Sequence, residues 1–307
     1  MEVTGLSGKT LSSYHLGFIL GPCINAAGRI DSADEALMLL LEKDEEDARE
    51  RAVHLRDLNE SRKAMTEKAL EAATELAGRE DYVNQKVLVL FVPDCHESVA
   101  GIVAGKVRER FNRPAFILCR AHTPDGRDCL KGSGRSIEAY NMFEGMSLVG
   151  DVFLQFGGHS QAAGLSILPE RLEEFRQRIN EGCSLTEEEL QSVVKIDMEL
   201  PFYYVNLNLA RELELLEPVG TGNEAPLFAA RNITVSDMWV CGKSRNVLKC
   251  RLSDGKERRD GVYFGEAEVF MDYVNQKAGE PLSMVYSISV NEYRGEMSPQ
   301  ITIRHFR

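Results

Sequence analysis

An α/β domain entered through a long helix and followed by a small all-β barrel is the fold class that this 307-residue sequence predicts. Three observations predict it. Residues 32–77 contain neither Gly nor Pro and repeat apolar residues at spacings of three and four. Strand-like and helix-like segments alternate between 86 and 181. Beyond 218, helical spacing gives way to short β-rich runs. A chain of this length is expected to pack as two units.

The elements follow in order. Asp31 or Ser32 can cap a first helix, and Asp44, followed by three acids, can start a second that ends at Gly78. The second helix would run about 34 residues, roughly 50 Å at 1.5 Å per residue, a length that suits a connector between domains. Lys86–Val92 is a continuous apolar run, as in a strand buried on both faces. A helix over Val99–Phe111 and a strand over Pro114–Leu118 follow, with further strands at Leu130–Ser136 and Ser166–Leu168. Glu138–Val149 and Glu170–Glu181 read as helices. The β-rich runs Leu227–Ala230, Ile233–Val240, Val247–Leu252, Gly261–Phe264, Met284–Val290 and Gln300–Phe306 suggest a barrel.

Composition excludes several classes. Apolar residues make up 43% and charged residues 27%, enough for packed cores. No apolar run approaches the roughly 20 residues of a membrane helix, and no signal peptide is visible after Met1, so a cytoplasmic protein with no membrane partner is expected. Seven cysteines without a CxxC pair argue against a disulfide framework or zinc ribbon, and for small buried hydrophobes. Net charge is −12, yet 101–140 hold eight basic residues against four acidic. A local basic patch can bind phosphate on an acidic body, because screening acts within about 8–10 Å.

Three stretches could carry chemistry. In Gly157-Gly158-His159-Ser160-Gln161-Ala162-Ala163-Gly164, two glycines allow close approach of a ligand, and His159 would open a helix. Such a turn can hold a phosphate on its N–H groups or be only a structural loop. Lys131-Gly132-Ser133-Gly134-Arg135-Ser136 combines glycines, hydroxyls and two cations; Arg135 can offer paired donors to a phosphate and Ser133 a third, or the stretch can be a polar edge strand. In Gly21-Pro22-Cys23-Ile24-Asn25-Ala26-Ala27-Gly28-Arg29, Asn25 and Arg29 flank small residues ahead of the first helix, which alone could be a helix-entry turn.

These stretches, with CHESVAGIVAGKVRERFNRPAFIL (95–118) and LEPVGTGNEAPLF (216–228), occur in one order. In this the chain resembles the C-terminal half of the RecJ family, the single-strand-specific DNA exonucleases of the DHH phosphoesterase superfamily. The resemblance implies an α/β DHH-associated domain preceded by a long connecting helix, followed by an all-β OB-fold barrel. Its boundaries would be a helical connector over 1–80, the DHH-associated domain over 81–200 and the OB domain over 201–307.

It also implies function. The chain would be the nucleic-acid-binding half of a 5′-to-3′ single-stranded-DNA exonuclease of DNA repair and recombination. Ser133 and Arg135 would hold the 5′ phosphate, with Asn25, Arg29, Gly157, Gly158 and His159 facing the same groove. Lys131 and His96 would contribute to DNA binding; Ser98 stands where the family has Gly, which bears on the turn after His96. In the barrel, Trp239, Lys243, Arg245, Lys249, Tyr293, Tyr263 and Phe264 are candidates for the DNA face, with Phe264 and half the aromatics expected inside. Tyr203-Tyr204 is expected to pack a linker. A two-metal Mg or Mn site is expected in the intact enzyme, on Asp and His residues of an upstream DHH domain. This sequence has no Asp-His-His and no DxD, and its six histidines show no ligand spacing. No cofactor is therefore expected here, and the chain would bind a DNA end without cutting it alone. Single-stranded DNA is the implied partner, with a single-strand-binding protein or a replication or repair helicase as candidate protein partners. Two alternatives stay open: a non-catalytic single-stranded-DNA or partner-binding module, and a fragment of a DHH-superfamily oligoribonuclease or nucleotide phosphatase, against which the barrel counts.

Overall fold

The computed structural model describes residues 1–242, 245–277 and 279–307, which form two units, Met1–Ser192 and Val193–Arg307. The division falls ahead of residue 201 because Met198–Glu199 pairs with Phe228–Ala229 of the barrel.

In the first unit, a π-helical segment His15–Leu20 runs on into α1 (Gly21–Ile30). Ser32 caps α2 (Ala33–Leu41) by accepting from the Asp34 N–H. Asp44 caps α3 (Glu45–Ala77) by accepting from Glu46 and Asp47, and three acids in its first turn complement the helix dipole. This helix is more than a connector: Ala69, Ala73 and Ala77 are buried against α5 and the sheet, and Leu55 packs near Ala27 and Ala36. After α4 (Glu80–Val83) come β1 (Leu88–Phe91), α5 (Glu97–Phe111), β2 (Ala115–His122), β3 (Asp128–Arg135), α6 (Met142–Ser147), β4 (Phe153–His159), β5 (Ala162–Ile167) and α7 (Leu172–Glu181).

The sheet has the order β1-β2-β3-β5-β4, parallel only between β1 and β2. Both faces of β1 and β2 are covered, which explains their continuous apolar runs. Leu88, Leu90, Ile117 and Cys119 meet α3 and α5, while Val89, Phe116 and Leu118 meet Met142 and Phe175 of α6 and α7. β4 is largely exposed.

Two expectations change here. The Gly157-Gly158-His159 stretch does not open a helix; it ends β4, and Ser160-Gln161 turns the chain into β5. The helix expected over Glu138–Val149 shrinks to α6, because Asn141 caps it by accepting from the Glu144 N–H.

The second unit comprises β6 (Met198–Glu199), α8 (Leu207–Glu214), β7 (Phe228–Cys241), β8 (Val247–Ser253), β9 (Arg258–Phe264), α9 (Ala267–Gln276), β10 (Leu282–Tyr293) and β11 (Glu296–Phe306). β10 pairs with both β11 and β7, so β7-β8-β9-β11-β10 returns on itself as a five-stranded barrel, with β9 and β11 parallel. Ile233, Leu248, Leu252, Tyr286 and Ile303 fill it. Helical structure does not vanish after 218: α9 joins β9 to β10 and buries Phe270 in the barrel core. Strand order and helix position are those of an OB fold. Among the described residues no helix is long and apolar enough to cross a membrane.

Candidate nucleic-acid interface

Strand alternation builds the site. On β3, Leu130 enters the core, and a Cβ on Gly134 would lie within 2.6 Å of Phe116; Lys131, Ser133 and Arg135 therefore share the opposite face. The pairing register extends that face across three strands: Lys131–Ser166–Gln155, Ser133–Gly164–Gly157 and Arg135–Ala162–His159. The middle strand offers only Ala, Gly and Ser there. A trough of about 700 Å³ results, with Arg29, His96, Lys131, Ser133, Gln155 and Gly157 among its lining residues.

Arg29 comes from the last turn of α1 and donates from Nη1 to the Ser98 carbonyl at 3.0 Å. Asn25, one turn earlier, is exposed and lies outside the lining. His96 caps α5, its Nδ1 accepting from the Ser98 N–H at 3.3 Å and lying 2.7 Å from the Ser98 hydroxyl. Ser98 thus serves this entry with a helical, negative φ, and no glycine is needed. His159 is exposed in the row beyond the lining and accepts from the Gln161 N–H at Nδ1. Gly158 has φ 154°, and a Cβ there would sit 2.3 Å from the Ala162 carbonyl oxygen, so close strand approach requires glycine at this position. Gly157 has open space around it.

The charges are not equivalent. Lys131 is paired with Glu97 at 3.0 Å, and that hydrogen bond holds its ammonium above the usual range. Arg135 is half-buried beside α5, past the trough's edge, and donates to the Gly134 carbonyl at 2.8 Å. Burial, then the Arg29 and Arg108 cations, push its pKa down. Arg62, bonded twice to the Asn59 side-chain oxygen, is pushed down by burial and by Arg29. Among the described residues, Arg29, Arg62 and Arg135 are therefore satisfied by neutral oxygens, without a bonded carboxylate. Such a cluster attracts an anion.

Sequence reasoning missed Gln155, Ser166, Arg62 and Arg108. The first two were legible as period-two partners once β4 was recognised. Arg62 and Arg108 lie on helices, where only tertiary packing brings them near Arg29 and Arg135.

In the barrel the candidates separate. Trp239, 45% exposed, pairs in register with Lys249, and Arg245 lies in the β7–β8 connection. Lys243 lies outside the described residues. Tyr293, 64% exposed with Arg294 over its ring, stands at the β10–β11 turn, the other end of the strands. Phe264 is 58% exposed rather than interior, whereas the partly buried Tyr263 stacks on the buried Phe270. Tyr203 and Tyr204 are exposed; Phe202 is the buried member of that run. Arg251 and Arg258, missed from the sequence, line a cavity of about 450 Å³ with Asn206 and Ser298. Among the described residues no three His, Cys, Asp or Glu are grouped to hold a metal ion. These residues do not fit a two-metal centre, and no hydrolytic step is assigned to them.

An α/β unit that carries a trough with arginines in and beside it, and an OB-type barrel, is the class of protein the fold defines. Residues 84–184 match the DHHA1 domain and residues 196–305 the RecJ OB domain. The single-stranded-DNA-specific exonuclease RecJ of Bacillus subtilis (strain 168) is 31% identical over 308 residues, covering 99% of this chain and 38% of that protein. The protein of the same name from Dickeya dadantii (strain 3937) is 33% identical over 315 residues, covering 99% of this chain and 53% of that protein. The crystal structure of RecJ from Thermus thermophilus in complex with Mg2+ superposes with a TM-score of 0.80 at 26% identity, covering 100% of this chain and 45% of that one. The chain belongs to the RecJ family, as the counterpart of its C-terminal part. It spans about half, or less, of the length of these relatives.

Proposed function

We propose that this chain is the substrate-holding half of a 5′-to-3′ single-stranded-DNA exonuclease, receiving a 5′ phosphate in the trough of the first unit. The observation that carries the reading is the arginine cluster: Arg29 and Arg135 flank Ser133 on one face, bonded among the described residues only to carbonyl oxygens. Guanidinium groups without carboxylate partners keep donors for a phosphate, and Ser133 adds a hydroxyl. The glycines opposite Ser133 leave room for the terminal nucleotide. Exposed Trp239 and Lys249 on the barrel would then stack and neutralise further nucleotides. Asn25, Gly158, His159, Lys131, His96, Arg245 and Tyr293 are assigned lesser or peripheral parts, in keeping with their positions. Phosphodiester hydrolysis would use carboxylate-held Mg or Mn supplied by the rest of a RecJ-type enzyme.

Binding of matched oligonucleotides with 5′-phosphate and 5′-hydroxyl ends tests this. The phosphorylated strand should bind at least about tenfold more tightly, as one charge-assisted contact requires. Equal binding would refute end recognition and favour a module that tracks the strand through its barrel alone.

A further inference from the structure

We infer that Gly101 of α5 is a positioning residue, whose missing side chain leaves the berth in which the Arg135 guanidinium lies. The inference rests on the phosphate-holding role proposed for Arg135. Glycine inside a helix is the least favourable ordinary choice apart from proline, because it frees the unfolded chain and adds no packing. Position 101 lies within the first turns of a 15-residue helix and has no left-handed φ, so its backbone conformation does not call for glycine. Space does. A Cβ at 101 would meet Arg135 Nη2 at 2.9 Å, Cζ at 3.4 Å and Nη1 at 3.5 Å, three atoms of one guanidinium. One turn on, a Cβ at Gly105 would meet only Arg135 Cγ, at an ordinary 3.9 Å. The Arg135 stem thus runs along α5, and its planar head ends over Gly101.

Little else fixes that head. Among the described residues it makes one hydrogen bond, to the Gly134 carbonyl, and has no carboxylate partner, while the nearby Arg29 and Arg108 cations repel it. Its location is therefore set by the walls of its berth. Arg29 bonds the Ser98 carbonyl, three residues before Gly101 on the same face of α5, so both guanidiniums gather at the start of this helix. A methyl at 101 would press on the tip of a flexible side chain rather than on backbone. The fold can accept it by swinging the guanidinium aside, which makes the position one of specificity rather than stability.

The experiment uses the whole 307-residue chain, with Gly101→Ala, Gly105→Ala and Arg135→Ala, and 3′-labelled single strands with 5′-phosphate or 5′-hydroxyl ends. Gly101→Ala should lower the phosphate-to-hydroxyl affinity ratio by at least about fivefold, because sub-ångström to 1 Å misplacement suffices for losses of this order. Its melting temperature should equal or exceed that of the parent. Gly105→Ala should leave the ratio within about twofold. In an Arg135→Lys background, where no planar head fills the berth, adding Gly101→Ala should change the ratio by less than about twofold. A crystal structure of Gly101→Ala should show the guanidinium displaced. If Arg135→Ala abolishes the ratio and Gly101→Ala leaves it intact, the berth is overturned and the proposed function stands. If Arg135→Ala leaves the ratio intact, end recognition by this residue is wrong, and an unmoved guanidinium in Gly101→Ala would overturn the berth as well.

Discussion

Replacing Arg135 by alanine separates what this residue does for binding from what it does for the fold. Its guanidinium is half-buried, bonded to one neutral oxygen at 2.8 Å, and set near two other cations. Burial first, and those cations second, make the charged form costlier in the folded chain than in the unfolded one. Arginine stays protonated at any accessible pH, so that cost is always present. Alanine removes it together with the packing of the stem along α5. The two losses act in opposite directions, so the unliganded variant should melt within a few degrees of the parent. A terminal phosphate reverses the balance. One charge-assisted hydrogen bond is worth about 1.5–3 kcal/mol, so the variant should lose about ten- to 150-fold of its preference for a 5′-phosphorylated strand. Titration calorimetry at one fixed ionic strength measures this, since contacts along the strand backbone vary steeply with salt. Inorganic phosphate should raise the melting temperature of the parent and not of the variant. A fall of several degrees in the unliganded variant, with the preference unchanged, would show that Arg135 serves the fold instead.

Three further outcomes follow from the same geometry. Lys131→Ala should weaken phosphorylated-strand binding by less than about tenfold and cost under about 1 kcal/mol of stability, because its partner Glu97 already occupies a half-exposed ammonium; Glu97→Gln should tighten binding, measured in the same titration. Gly158→Ala places a Cβ 2.3 Å from the Ala162 carbonyl oxygen and 2.6 Å from Ala163 Cα, so urea unfolding should show a loss of about 1–3 kcal/mol or more, whereas Gly157→Ala, in open space, should be near neutral. Burial pushes the Cys95 thiol up to about 12 and that of Cys119 to about 11. The fold thus favours the neutral thiols: their contribution is whole below the ordinary value near 8.5 and is lost as pH rises through 11 and 12. Labelling of the native chain at about pH 8 should be slow at both, and the urea midpoint should fall above about pH 9; rapid labelling of Cys119 would contradict its burial.

The parts of the fold legible in the sequence are those whose signals are local. Ser32 and Asp44 announce their helices because a capping side chain needs only the next three residues. The β1 run is legible because both faces are apolar. β4 was not, because its outward face carries Gln155, Gly157 and His159 and lies open, so no alternating apolar pattern marks it. α9 was missed for a related reason: Ala267, Phe270 and Val274 make a short stripe amid charges, and what fixes it is the barrel mouth over Phe270. Of the site, Ser133 and Arg135 were legible from residue type, and their shared face from spacing. Which cations keep free donors was not. Lys131 and Arg135 look alike in sequence, and only the approach of Glu97 to one of them distinguishes their roles.

The layering of the sheet explains why the proposed binding face lies where it does. α5 packs on β2 and β3, and α3 reaches β1, whereas a helix about 10 Å wide covers only two strands spaced about 4.8 Å apart. Among the described residues, no helix packs extensively on β5 and β4 on that side. Apolar side chains there would stand in water, and β5 instead presents Ala162, Gly164 and Ser166 outward while burying Ala163, Leu165 and Ile167. Small outward residues make the uncovered half of the sheet a depression instead of a flat wall. Its cations unpaired among the described residues come from two elements, Arg29 lining it from α1 and Arg135 of β3 lying just past its edge. The trough is therefore a consequence of one sheet being wider than its helical cover, and its charge follows from which rim residues lack an acidic neighbour. An acid placed opposite Ser133, at Gly164, would be expected to silence the trough while leaving the sheet's core face unchanged.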